Sequence, residues 1–422
     1  MAPTRTSPSI RASKMTDSKF HRNVQPPTGY NHKRVRQGLH AGVNYKSHYE
    51  GVHEGPEPFH YPLPLPVVEG MRPVDPRGPS LKLSDLECIK PLGMGAHGRV
   101  LLVRTRGPAA SAGAKLFALK AVRKKGFRQW DTADFTRRNC ERAVLVNMGW
   151  NPFVTGILQA FHDDRNVYLM LEYSPCGTLD QIMGAPLSPA RTLFYFANIV
   201  CGLEHLEKSG VVNRDIKPAN ILVGADGYLC LCDFGPALDI PATDEPIVVG
   251  NWLGDGTAAY QAPEGVTLDN QPADVRYGPA LDWWSAGVIL YEMATGALPF
   301  EPPRREKNVA PRGSVAVKQI WDRIMAGPPS WPGGVRVGRN LKALVKGLLT
   351  VNANTRLGAR GAAEVRQHPW LRTCDWNKMR RKRYIPTHLG TPTPELSFAQ
   401  KPLDPKQFPG LRITGNCLKK CV

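Results

Sequence analysis

Between Asn213 and Gly235 four side chains stand at a spacing that suits the movement of a phosphoryl group. Asp215, Lys217 and Asn220 lie within the run Asn213-Arg214-Asp215-Ile216-Lys217-Pro218-Ala219-Asn220, and Asp233-Phe234-Gly235 begins thirteen residues after Asn220. Such a transfer needs oxygen ligands for Mg2+, a group that orients the attacking hydroxyl, and a cation beside the migrating phosphate. Asp233 and Asn220 are candidates for the metal, Asp215 for the hydroxyl proton, and Lys217 for the charge of the phosphoryl group.

Two upstream features fit the same chemistry. Lys120 sits inside the apolar run Phe117-Ala118-Leu119-Lys120-Ala121-Val122, and a buried ammonium needs an anion. Glu141, on the helix-patterned segment Phe135 to Met148, is the candidate partner that would hold Lys120 against the α- and β-phosphates. The plainer reading is a lysine on an exposed strand face. Gly93-Met94-Gly95-Ala96-His97-Gly98 fits G-x-G-x-x-G, a motif shared with dinucleotide folds and with ordinary hairpins. Here Arg99 to Arg104 reads as a strand, whereas a dinucleotide loop opens a helix. Gly93, Gly95 and Gly98 are therefore expected to join two strands as a flap over phosphates, where a side chain would block the backbone's approach.

The elements that must position these residues change character along the chain. Residues 1–84 are rich in Pro, Ser, His and Gly without sustained periodicity and are expected to form a disordered, basic, Pro-rich extension. Tyr61-Pro62-Leu63-Pro64-Leu65-Pro66 within it should be polyproline-like. From Leu83 strand patterns come first, at Glu87 to Leu92, Arg99 to Arg104, Leu116 to Val122 and Val167 to Tyr173. Helical periods follow at Phe135 to Met148, Pro189 to Ser209, Leu281 to Thr295, Val315 to Ala326 and Leu341 to Leu349. The order implies an α+β chain with two unlike lobes. Residues 372–422, proline-punctuated and basic, read as a tail.

With these motifs in place the chain resembles the eukaryotic protein kinases over roughly Leu83 to Leu371. Lys217, two residues after Asp215, is the Ser/Thr form. Asp282-Trp283-Trp284-Ser285-Ala286-Gly287 and Thr355-Arg356-Leu357-Gly358-Ala359-Arg360-Gly361 look like the AGC group. The resemblance implies a bilobal kinase fold over 85–371, with a small β-rich lobe (85–173) and a larger, mainly helical lobe (174–371). It further implies transfer from Mg-ATP to a protein Ser or Thr hydroxyl, with adenine against Val100, Ala118 and Leu222. Hinge bonds would come from the backbone of Glu172 and Ser174, with Leu171 as gatekeeper. By the same pattern Ala262-Pro263-Glu264 closes the activation segment, Glu264 pairs with Arg356, and Thr257 bonds to the catalytic pair.

The chain also departs from that family. Asn213 replaces the usual histidine or tyrosine, and Pro236 removes an N–H just after Gly235. Leu253 stands where AGC members carry a phosphorylated Thr or Ser, so activity is expected not to need a phosphate there, leaving Arg214 to pair with Asp239, Asp255 or another acid. Thr178 and Ala219 replace two acids used for basic substrates, although Glu292 is present. No F-x-x-F-S/T-F/Y motif follows Pro386, so docking of an AGC-type hydrophobic motif is not expected.

The 422 residues include 55 Lys plus Arg against 36 Asp plus Glu, a net charge of +19. The excess lies toward the ends and suits anionic partners. An average composition, 42% hydrophobic and 22% charged, excludes a wholly disordered chain or a collagen-like fibre. No signal or membrane span is expected, and the nine cysteines, without a CxxC pair, read as reduced, placing the chain in the cytoplasm or nucleus. Cys417 and Cys421 are possible acylation sites, a solvated tail being the plainer reading. Two other classes compete: a pseudokinase scaffold, supported by Asn213, Pro236 and Leu253, and a nucleic-acid binder, supported only by the basic ends.

Overall fold

Alternation along the apolar runs builds the small lobe. In the computed structural model β1 (Leu86–Gly95), β2 (Gly98–Thr105) and β3 (Leu116–Arg123) cover three of the predicted strands, β5 (Asn166–Leu171) ends two residues short of the predicted Tyr173, and β4 (Ile157–His162) joins them. The order is β10-β1-β2-β3-β5-β4, antiparallel except where β10 (Arg412–Ile413) runs parallel to β1. Successive side chains of a strand face opposite ways. Leu101, Val103, Phe117, Leu119, Ala121, Tyr168 and Met170 therefore form a cluster on one face. Ala118, Leu169 and Leu171, with Val100 packed beside them, face the main core. β4 escaped prediction because a bulge between Ile157 and Gln159 breaks its alternation.

The structure describes residues 81–95, 98–110, 114–123, 141–163, 165–239, 258–265, 278–300, 314–384, 407–408 and 411–413. All belong to the compact unit Asn44–Val422; the other unit, Met1–Val43, lies outside them. The predicted 1–84 extension thus falls outside the description except for 81–84, where Gln159 Nε2 donates to the Leu81 carbonyl (2.8 Å) and Gln159 Oε1 accepts from the Leu81 N–H (3.2 Å).

The large lobe is helical. α1 (141–147) carries Glu141. It is followed by α2 (Pro189–Lys208), α3 (Ala280–Thr295), α4 (Ser314–Met325), α5 (Arg339–Leu348), α6 (Ala362–Arg366) and α7 (Trp376–Arg380). Pro189 opens α2 and Ser188 Oγ accepts from the Arg191 N–H at 3.3 Å, as expected of a first-turn proline and a serine cap. α3, apolar on nearly every face, is buried along its length, and Gly296 ends it at φ 69°. Two short ribbons, β6 (Val211–Val212) with β9 (Leu238–Asp239) and β7 (Ile221–Val223) with β8 (Leu229–Leu231), flank the catalytic run. No helix among the described residues is long and apolar enough to cross a membrane.

The segment from 372 on, read as a basic tail, is built into the body at two places among the described residues. Asp375 caps α7, accepting from the Asn377 and Lys378 N–H groups. Lys382 then bonds Asp226 at 2.9 Å and lies over the Phe153 and Tyr228 rings. Farther on, Phe408 and Leu411 are buried in the second apolar cluster, and the Gln407 carbonyl accepts from Asn166 Nδ2 at 2.8 Å. This contact does not use an F-x-x-F-S/T-F/Y motif, whose docking was not expected. Two apolar side chains and a two-residue strand are enough, because the sheet face they cover would otherwise stand in water. Phe408→Ala is expected to cost about 3–5 kcal/mol, read as faster amide hydrogen exchange throughout β1 to β3. Unchanged exchange there would contradict the packing.

Candidate active site

Lys120 is the junction of the site. β3 buries it, α1 brings Glu141 to it, and the segment after β8 brings Asp233. Its ammonium donates to Glu141 Oε1 and Oε2 at 2.8 and 2.7 Å and to Asp233 Oδ1 at 2.8 Å. Burial pulls the ammonium's pKa down, but the two carboxylates outweigh it and hold the pKa above the usual lysine value. The group stays a cation. The exposed-strand reading of Lys120 is excluded by its 5% exposure.

The catalytic run forms a second junction. Lys217 Nζ donates to Asp215 Oδ1 and Oδ2 at 2.9 and 2.7 Å, and Asn220 Nδ2 donates to Asp215 Oδ2 at 2.7 Å and to its carbonyl at 2.9 Å. Burial raises the Asp215 pKa, against the lowering effect of Lys217 and Asn220. Its carboxylate is thus a better hydrogen-bond acceptor than that of a free aspartate. The Cys232 N–H donates to the Asn220 carbonyl at 2.9 Å, which ties the catalytic run to the strand leading into Asp233. Burial pushes the Cys232 thiol pKa well up.

Asp282, an acid within the apolar helix α3, is the functional residue whose role the sequence reading missed. Its carboxylate accepts from the Asn213 and Arg214 N–H groups at 2.7 and 2.8 Å. Burial raises its pKa to about 6 despite those bonds. A buried acid in an apolar run has to find donors, and that rule was the available signal. Arg214 Nε donates to the Pro236 carbonyl at 2.6 Å. Asp255, Leu253 and Thr257 lie outside the described residues, as do Cys417 and Cys421.

The glycines differ in what requires them. At Gly98, φ is 131° and a Cβ would stand 2.4 Å from the Ala121 carbonyl oxygen, so β2 could not close on β3. A Cβ on Gly93 would meet no protein atom within 4 Å, so packing does not require glycine there, and there is space for a ligand. Gly95 pairs with Gly98 at the β1–β2 turn. Ala118 and Leu171 are buried, while Val100 and Leu222 are partly so. The Glu172 carboxylate turns inward, taking the Trp150 indole N–H at 3.0 Å and the Gly156 N–H at 3.1 Å. A cavity of about 250 Å³ bordered by Trp150, Glu204, Lys208 and Arg380 contains none of the candidate side chains.

The donor chemistry fits Mg-ATP. Among the described residues no cluster of three or more His, Cys, Asp or Glu could hold a metal. One carboxylate, Asp233, and one amide oxygen, that of Asn220, are hard donors suited to Mg2+, which ordinarily completes its shell with phosphate and water. Glu264 and Arg356 are also paired, at 2.6 and 2.8 Å.

Residues 86–371 match the protein kinase domain family. The chain is 33% identical over 300 residues to Protein kinase 2 of Dictyostelium discoideum, covering 71% of this chain and 56% of that protein. It is 31% identical to the serine/threonine-protein kinase YPK1 of Saccharomyces cerevisiae (81% and 48%) and to the human cAMP-dependent protein kinase catalytic subunit PRKX (74% and 79%). It spans about half the length of the first two. The chain belongs to the protein kinase family, on the AGC-like serine/threonine side that its motifs indicate.

Proposed function

We propose that the chain transfers the γ-phosphoryl group of Mg-ATP to Ser or Thr hydroxyls of protein substrates. The observation that carries this reading is the convergence of Lys120, Glu141 and Asp233 beside Asp215, Lys217 and Asn220. Asp233 and Asn220 would hold Mg2+, which when bound neutralises charge on the phosphates. Lys120, kept cationic by Glu141, steadies the α- and β-phosphates, while Gly93, Gly95 and Gly98 close over them. Val100, Ala118 and Leu222 receive adenine, with the backbone of Glu172 and Ser174 at the hinge. Asp215 orients the substrate hydroxyl and takes its proton, and Lys217 offsets charge on the moving group.

A scaffold has no physical need for this set, and the departures at Asn213 and Pro236 remove none of it. The relatives are named as serine/threonine kinases, which supports the choice of hydroxyl. The working unit on this reading is 85–371, divided at 173/174 and flanked by a basic arm and tail that suit anionic partners. An intracellular location agrees with the reduced thiols of Cys176, Cys201, Cys230, Cys232 and Cys374. Transfer of ³²P from Mg-ATP to a mixed Ser/Thr peptide library tests the proposal. Lys120→Met is expected to abolish transfer, and a wild-type chain that binds ATP without transferring phosphate would favour the scaffold.

A further inference from the structure

Two non-glycine residues of the site adopt left-handed backbone, Arg214 at φ 69° and Asp233 at φ 57°. Such backbone is unfavourable for a residue with a side chain and persists only where neighbours impose it. Each turn aims one working carboxylate: the first precedes Asp215, and the second is at Asp233 itself. One side chain reaches both. Asn213 is fully buried. Its Oδ1 accepts from the Asp215 N–H at 3.0 Å, closing a ring across Arg214, and its Nδ2 donates to the Asp233 carbonyl at 3.2 Å.

The surroundings give these two bonds their effect. The Asn213 backbone is pinned to α3 through Asp282, so the amide projects from a fixed point. Asp233 is then held at both ends, by Lys120 and the Gly235 N–H at its carboxylate and by Asn213 at its carbonyl. An amide offers an acceptor and a donor at once without titrating. If Asn213 only filled space, an apolar side chain of the same size would serve without the cost of burying a polar group. Both of its bonds instead go to main-chain atoms at the two left-handed turns.

We propose that Asn213 is a positioning residue that couples the hydroxyl-orienting Asp215 to the metal-holding Asp233, one amide fixing both left-handed turns. The proposal rests on the phosphotransfer reading. On this reading the asparagine at 213 is a working part of the site and not a lost one.

Three variants separate positioning from packing. Asn213→Leu removes both bonds at similar volume. Asn213→Asp keeps the acceptor for Asp215 N–H and loses the donor to Asp233. Asn213→His restores a ring N–H donor. Two quantities are measured for each: the Mg2+ concentration that half-saturates ATP binding, by calorimetry with Mg2+ and ATP as probes, and kcat with KM for the best library peptide.

Asn213→Leu and Asn213→Asp are expected to raise the Mg2+ requirement by about tenfold or more, as loss of a second-sphere partner does. They should lower kcat by about tenfold or more, with peptide KM little changed, and Asn213→His should recover most of the Mg2+ requirement. Folded Leu and Asp variants with wild-type Mg2+ requirement and kcat would overturn the proposal, and if the Leu variant does not fold the Asp variant decides alone. A wild-type chain that transfers no phosphate would instead refute the phosphotransfer reading, and the Mg2+ dependence of ATP binding would still judge the hold on Asp233.

Discussion

Conversion of Asp215 to asparagine is expected to lower turnover by about 10²–10⁴-fold with ATP binding retained. The replacement has the same shape and still offers one oxygen to Lys217 and Asn220, which bond the wild-type carboxylate at 2.7 to 2.9 Å. It cannot accept a proton. The pH profile carries a second signature. Burial raises the pKa of Asp215 above the ordinary aspartate value of 3.8, so the wild-type rate should fall as pH drops through that raised value, because the protonated acid no longer accepts the hydroxyl hydrogen. The variant should lack this acid limb. Steady-state kcat across the acid range checks both effects, and an asparagine variant with wild-type kcat would remove Asp215 from the mechanism.

The second large effect is on stability. Glu264→Ala is expected to cost about 3–5 kcal/mol, because it leaves a buried cation without its anion. Arg356 is 1% exposed. Its guanidinium gives Nη1 to Glu264 Oε1 and the Ala280 carbonyl, Nη2 to Glu264 Oε2 and the Val351 carbonyl, and Nε to the Thr350 carbonyl. It also lies 5.0 Å over the Trp284 ring. Every donor direction is used, and carbonyls cannot replace the lost charge. Denaturant unfolding of the single variant and of Glu264→Ala with Arg356→Met separates the causes. The double variant should recover part of the loss, since the stranded charge is gone. A single variant within about 0.5 kcal/mol of wild type would show the pair to be dispensable.

The residues proposed for the chemistry stand out in the sequence because few residue types can do it. Asp215, Lys217, Asn220 and Asp233 follow from the needs of a metal, a phosphate and a hydroxyl, and the lysine inside an apolar strand announces its own need for an anion. Helix positions followed from period, α2 and α3 to within a residue or two. Features that depend on contact across the fold were not readable. Nothing local ties Asp282 to the Asn213 and Arg214 N–H groups, which lie 69 and 68 residues away. Asn213 read only as a departure from the family because its bond to the Asp233 carbonyl, twenty residues on, exists only in the folded chain. Pro236, read as a missing donor, matters here for its carbonyl, which takes Arg214 Nε. β10 spans two residues, too few for periodicity to register.

The strap formed by Phe408, Leu411 and β10 bears on how the protein is made. Asn166 and Gln407 are separated by 241 positions yet bonded, and Phe408 and Leu411 complete a cluster whose other buried members come from β1, β2, β3 and β5. During synthesis those strands leave the ribosome long before their cover does. The nascent small lobe therefore exposes an apolar sheet face while the whole large lobe is translated, an interval in which aggregation competes with folding and chaperones gain a binding surface.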